Sequence, residues 1–279
     1  MKWNAYWRLM RFDKPVGILL LWFPTAWALW LANKGMPTLR LLILFICGTV
    51  FMRAAGCVIN DIADRNIDKH VVRTKFRPLT SGEVTLPEAF LLLIILLFAA
   101  LLILIQLPRN CFYFGLIALF ISFLYPFCKR FLDAPQLILG LAFSMGIPMA
   151  YVASNLPLNS EFCLLFLINF SWILVYDTMY AMADKADDLR IGVKSTAIYF
   201  ASYDRMIIGL LQALLHSLWL CWALMNHISL LFYIFWFMAG IVLIYQQKLI
   251  NKRIPQECFK AFVISVYYGT LMWLAVVSR

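Results

Sequence analysis

Residues 39–59 read LRLLILFICGTVFMRAAGCVI and run directly into Asn60-Asp61-Ile62-Ala63-Asp64-Arg65-Asn66-Ile67-Asp68. At a rise of about 1.5 Å per residue, the first part is long enough to cross a hydrocarbon core of about 30 Å as a helix. Continued as a helix turning about 100° per residue, the second part gathers Asp61, Asp64 and Asp68 within an arc of roughly 60°. Arg53 stands seven residues before Asn60 and points to nearly the same side. A cation at that depth belongs to a bundle interior, not to lipid, and the adjoining Ala54-Ala55-Gly56 permits close helix approach. The stretch therefore predicts a transmembrane helix that carries a carboxylate face to one membrane surface.

Similar apolar stretches recur at about residues 16–32, 86–107, 111–128, 135–153, 162–180, 206–225, 228–246 and 259–277, which makes nine in all. Of the 279 residues, 64% are hydrophobic and 14% charged, a balance that excludes an ordinary water-soluble domain. Backbone groups in lipid must be satisfied within the segment, so the expected fold is all-α, a polytopic bundle of about nine transmembrane helices. No low-complexity linker divides it, and residues 1–279 are expected to form a single domain. The lead-in, basic and containing Trp3 and Trp7, reads as an interfacial segment and not as a transit peptide.

The net charge of +10 lies in short segments between spans instead of on one face, which argues against nucleic-acid binding. Nearly all of those basic residues fall on the side of the amino terminus, so the positive-inside rule puts that side in the cytoplasm. Arg8, Arg11 and Lys14 read as anchors to anionic headgroups. The long, charged connections, about 60–85 and 181–205, lie on the same side and are where a site is expected. Seven cysteines without a CxxC pair indicate neither a disulfide framework nor a zinc site, and His70, His216 and His227 show no ligand spacing.

The second acidic stretch lies 120 residues after the first when Asp64 is aligned with Asp184, a weak internal repeat that suggests two halves facing a shared cavity. In it Asp177, Asp184 and Asp188 fall within roughly 40° of helix arc, while Asp187 points elsewhere. Carboxylates so close repel one another and need cations. Magnesium takes one or two protein carboxylates and completes its shell with water and phosphate oxygens, so two such faces could grip a diphosphate through metal bridges. Interior charges and a weak repeat are also compatible with a cation-coupled secondary transporter, but no pair of Gly/Pro-broken helices meets at mid-membrane.

The stretch Asn60-Asp61-x-x-Asp64-x-x-x-Asp68, the later Arg73-Thr74 and Arg77-Pro78-Leu79-Thr80-Ser81-Gly82, and Asp184-x-x-x-Asp188 followed by Ile191-Gly192-x-Lys194-Ser195-Thr196 resemble the UbiA superfamily of intramembrane prenyltransferases. The likeness runs from Arg8-Leu9-x-Arg11-x-Asp13-Lys14-Pro15-x-Gly17 to Cys258-Phe259-Lys260-Ala261-Phe262, with one departure at Val263–Gly269, where relatives commonly carry asparagine before the aromatic and glycine. Its implication is a helical bundle around a cavity open to the cytoplasm, in a bacterial inner membrane. The implied reaction, a step of ubiquinone biosynthesis, moves a polyprenyl chain from its diphosphate to 4-hydroxybenzoate. The resemblance further implies that Asp64, Asp68, Asp184 and Asp188 hold Mg2+ on the diphosphate, supported by Asn60 and Asp61, with Arg73 and Lys129 on the phosphates. Arg130 resembles the family's candidate for the benzoate carboxylate, while Asp177 and Tyr180 are candidates for orienting the phenol. Relatives acting on other aromatic acceptors would share the aspartates, so another acceptor stays open. The protein partners stay unknown.

Overall fold

A computed structural model describes residues 2–279, and among them every regular element is helical. A short α1 (Trp3–Leu9) precedes α2 (Val16–Ala32), and α3 (Leu39–Asp68) pairs with α4 (Leu86–Leu104). Then come α5 (Arg109–Cys128), α6 (Gln136–Ser144) and α7 (Gly146–Ala153), and the long α8 (Ser160–Ile191). After a single turn, α9 (Thr196–Tyr199), the chain ends in α10 (Asp204–Met225), α11 (Leu230–Leu249) and α12 (Pro255–Val277). With α6 and α7 counted as one, eight segments are long and apolar enough to cross a membrane, and α2 is a ninth, shorter one of 17 residues. The chain is a multi-pass membrane protein, with the expected nine spans.

Two features shape the site. First, α3 and α8 continue past the end of their apolar runs to Asp68 and Ile191, so both acidic stretches are helical, as the arcs of their aspartates require. At its start, α8 is capped by Asn159, whose side chain accepts from the Phe162 amide at 3.0 Å. It ends at Gly192, whose φ of 72° suits a residue without a Cβ. Second, the span expected over 135–153 breaks at Met145. Gly146 follows the break, and a Cβ there would strike the Thr25 hydroxyl of α2, which crosses at this point.

Apolar surface faces outward on α4, at Leu91, Ile94, Ile95 and Phe98, as lipid requires. The centre is aromatic. Trp27 of α2 lies 5.1 Å from Trp172 of α8 and 5.5 Å from Trp219 of α10, while Trp172 also meets Tyr268 of α12 at 6.0 Å. The Trp27 indole N–H donates to the Gly269 carbonyl at 3.3 Å. With no hydrophobic drive between helices in lipid, such packing and interhelical hydrogen bonds hold the bundle. Ser265, in the segment that departs from the family pattern, is fully buried and accepts from Gln246 at 2.9 Å.

Candidate active site

The carboxyl-terminal ends of α3 and α8 face one another at the end of the bundle that also carries α1. Asp64 and Asp68 from α3 and Asp177, Tyr180, Asp184 and Asp188 from α8 line a cavity of about 100 Å³. Arg73 and Arg77 reach it from the connection after α3, Tyr125 and Lys129 from the end of α5, Gln136 from the start of α6, and Lys194 and Ser195 from the turn after α8. The expected facing of the two acidic stretches is thus what the helices produce.

In this arrangement protein cations pair with Asp61, Asp64, Asp68 and Asp184. Arg73 grips Asp184 with two hydrogen bonds, 3.0 Å from Nε and 2.6 Å from Nη2, and its guanidinium lies 4.5 Å from the Tyr180 ring centre. Arg77 bridges Asp68 at 2.7 Å and Asp61 at 3.1 Å. Lys129 reaches Asp64 at 3.2 Å. Burial raises the Asp68 carboxyl above the usual carboxylate range; Arg77 counters this, and Asp61 adds to it. Burial also works against the Lys129 ammonium, yet Tyr125 and Asp64 beside it keep it above the usual lysine range. Asp187 lies off this face, accepting from the Val72 amide at 3.0 Å and from Arg190 at 2.6 Å.

Three sequence expectations change. Arg130 does not line the cavity: it is exposed, bonded to the Ala63 carbonyl at 3.0 Å, and held against Phe127. Both residues lie in the turn after α5 ends at Cys128, which directs Lys129 inward and Arg130 to the surface. Arg11 is no headgroup anchor, because it donates twice to Asp61, at 2.7 and 2.9 Å, where Asp61 is 1% exposed. Asp61 and Asn60 are not among the lining residues, and the role left to Asp61 is to hold Arg77 and Arg11 in place.

Arg53 meets the interior expectation. Its guanidinium occupies the space that a side chain at Gly17 would fill and lies 5.7 Å from the Phe143 ring centre, and its buried Nε has no protein partner. Gln136 and Ser195 carried no signal strong enough to single them out by sequence. Gln136 is an ordinary polar residue at a span start, and Ser195 was one letter in a longer motif.

Among the described residues, no three His, Cys, Asp or Glu side chains form a ready-made metal cage. The donor set nevertheless fits a hard divalent cation, since it consists of carboxylate oxygens, and Asp64 Oδ1 is buried with no partner. The arrangement can exchange its own cations for metal and anionic oxygen.

A helical membrane bundle with two facing carboxylate helices and a cationic rim is an intramembrane enzyme architecture. The chain belongs to the UbiA prenyltransferase family, which matches residues 21–275. It is 70% identical over 274 residues to a 4-hydroxybenzoate octaprenyltransferase of Legionella pneumophila (strain Corby), covering 98% of this chain and 97% of that one. It is 48% identical to the protein of that name from Pasteurella multocida (strain Pm70), covering 98% and 94%. In fold it resembles a UbiA homologue from Aeropyrum pernix K1 (TM-score 0.78, 22% identity, covering 91% and 96%). It also resembles a UbiA homologue from Archaeoglobus fulgidus bound to GPP and Mg2+ (TM-score 0.72, 19% identity, covering 99% and 100%).

Proposed function

We propose that this chain transfers a polyprenyl group from polyprenyl diphosphate to C3 of 4-hydroxybenzoate, giving 3-polyprenyl-4-hydroxybenzoate and diphosphate in ubiquinone biosynthesis. The observation that carries the reading is the pair of facing aspartate helices whose countercharges are all donor cations suited to phosphate. The names of relatives 48% and 70% identical supply the acceptor. The transporter reading is set aside, because the family is one of prenyltransferases.

Asp64 and Asp68 with Asp184 and Asp188 would hold Mg2+, which when bound supplies charge to the leaving diphosphate. Arg73 and Lys129 then turn from carboxylates to phosphate oxygens, with the held Arg77 adding its charge beside them, which favours departure of diphosphate from the allylic carbon. The surrounding helices exclude water from the resulting allylic cation, so that the ring carbon ortho to the phenol attacks in its place. Asp177 and Tyr180 line the same cavity, which supports assigning them to orient the phenol. Arg53 is the cation we assign to the benzoate carboxylate in place of Arg130, because it is interior, lies beside the Phe143 ring and has a buried Nε without a partner. Loss of the ring proton restores aromaticity.

Both acidic helices and the acceptor end draw on elements from α2 to α8, and α12 packs on α2 and α8, so we treat 1–279 as one functional domain. We assign the cavity to the cytoplasmic side, a reading the positive-inside asymmetry supports, and the membrane to a bacterial inner membrane, which the bacterial relatives support. The test is prenyl transfer to radiolabelled 4-hydroxybenzoate in membranes containing the protein, with Mg2+ or with EDTA, beside Asp64→Ala. Magnesium-dependent product that Asp64→Ala loses supports the reading. An active preparation that prenylates a different aromatic acceptor and leaves 4-hydroxybenzoate untouched overturns it.

A further inference from the structure

We infer that the Ser195 hydroxyl is a direct hydrogen-bond donor to the diphosphate, a substrate contact beyond the aspartates and cations; the inference rests on the prenyl-diphosphate reading of the cavity.

Ser195 lines the cavity, is 3% exposed, and its Oγ has no protein partner. Serine in front of a helical turn ordinarily turns its oxygen back to a backbone amide of that turn. Here it does not, although α9 begins at the next residue. The amide of Thr196 is taken instead by Gln136 Oε1 at 2.9 Å, and the Thr196 hydroxyl meets that of Thr178 at 2.8 Å. These two contacts fix the turn without Ser195 and leave its hydroxyl free.

The backbone on either side places that hydroxyl among the groups assigned to diphosphate. The Lys194 amide donates to the Lys129 carbonyl at 3.0 Å, and the Val193 amide donates to the Asp188 carbonyl at 3.0 Å. Ser195 therefore follows a strap tied at one point to the residue whose ammonium pairs with Asp64 and at another to a proposed metal-holding aspartate. A buried hydroxyl without a partner costs the empty protein free energy, and a charged acceptor oxygen entering the cavity would recover it. The other cavity oxygen in the same condition, Asp64 Oδ1, is an acceptor suited to metal. Together they form a complementary pair, one for the anion and one for its cation.

The test compares wild type with Ser195→Ala, purified in detergent or nanodiscs. Three readouts are taken: unfolding temperature without ligand, binding of inorganic diphosphate with Mg2+ by calorimetry, and the KM of each substrate. We expect Ser195→Ala to unfold at a temperature no lower than wild type while binding magnesium diphosphate about tenfold or more weakly, as loss of a hydrogen bond to a charged group implies. The KM for polyprenyl diphosphate rises and that for 4-hydroxybenzoate does not. Unchanged diphosphate affinity overturns the inference, as does a fall in unfolding temperature with no change in affinity, which marks a structural serine. A shift confined to the acceptor KM overturns it too. The wild-type binding arm needs no acceptor, so a protein that binds magnesium diphosphate through Ser195 yet fails to prenylate 4-hydroxybenzoate refutes the proposed acceptor alone.

Discussion

Arg77 and Arg73 are separated by one helical turn of sequence and differ in what their loss would do. Arg77 sits between Asp61 and Asp68, which are 1% and 5% exposed, so Arg77→Ala strands the buried Asp68 carboxylate and leaves Asp61 to Arg11 alone. Removing one partner of a buried pair costs about 3–5 kcal/mol, and a substantially lowered unfolding temperature is the expected outcome in a detergent melting assay. The Arg73 side chain is 34% exposed, and its pair with Asp184 is worth about 1 kcal/mol or less to folding. Arg73→Ala should therefore leave the melting temperature nearly unchanged and raise the KM for the prenyl diphosphate. On the acceptor side, Arg53→Ala should raise the KM for 4-hydroxybenzoate about tenfold or more, while Arg130→Ala leaves it within about twofold; the reverse order would restore the carboxylate to Arg130. At this scale the aspartates were legible because a helical period of 3.6 residues sorts a string of acids onto a face. The choice between Lys129 and Arg130 was not, since it depends on the rotation of α5 about its own axis, which apolar residues all around that helix leave unspecified.

Helices α3 and α8 were legible as spans from hydropathy, and their extension into the acidic stretches only from the spacing of the aspartates. Hydropathy ends where the apolar run ends, whereas the hydrogen-bond ladder continues for as long as nothing breaks it, up to Asp68 and to Gly192. The break between α6 and α7 has a local cause in Pro148, which has no N–H for the Ser144 carbonyl, and a tertiary one in the passage of α2 against Gly146. A similar close passage occurs at Gly269, where an added Cβ would meet the Phe23 and Trp172 rings. Overpacking of this kind typically costs 1–3 kcal/mol, so Gly269→Ala should lower the unfolding temperature measurably, and Gly56→Ala, which meets nothing within 4 Å, should not.

Across the whole molecule, most of the motif acids are paired before any ligand arrives, since Arg11, Arg73, Arg77 and Lys129 pair with Asp61, Asp64, Asp68 and Asp184, and Asp188 is left without a cation. Chelation of divalent metal should accordingly abolish prenyl transfer while shifting the melting temperature of the ligand-free protein little. A large drop on adding EDTA would mean that metal is part of the resting fold. The bundle's number of spans and the shared end of its two motifs could be read from hydropathy and charge; which helices touch could not, and the most distant pairing in sequence is also among the firmest. The first spanning helix packs along the last, with Trp27 of α2 bonded to Gly269 of α12 and the Arg279 side chain bonded to the Trp30 carbonyl at 3.0 Å. A ribosome making about 5–20 residues per second delivers α12 some tens of seconds after α2. Throughout that interval the side of α2 that α12 covers faces lipid, and a stop codon ahead of Pro255 would leave that side open to membrane proteases for good.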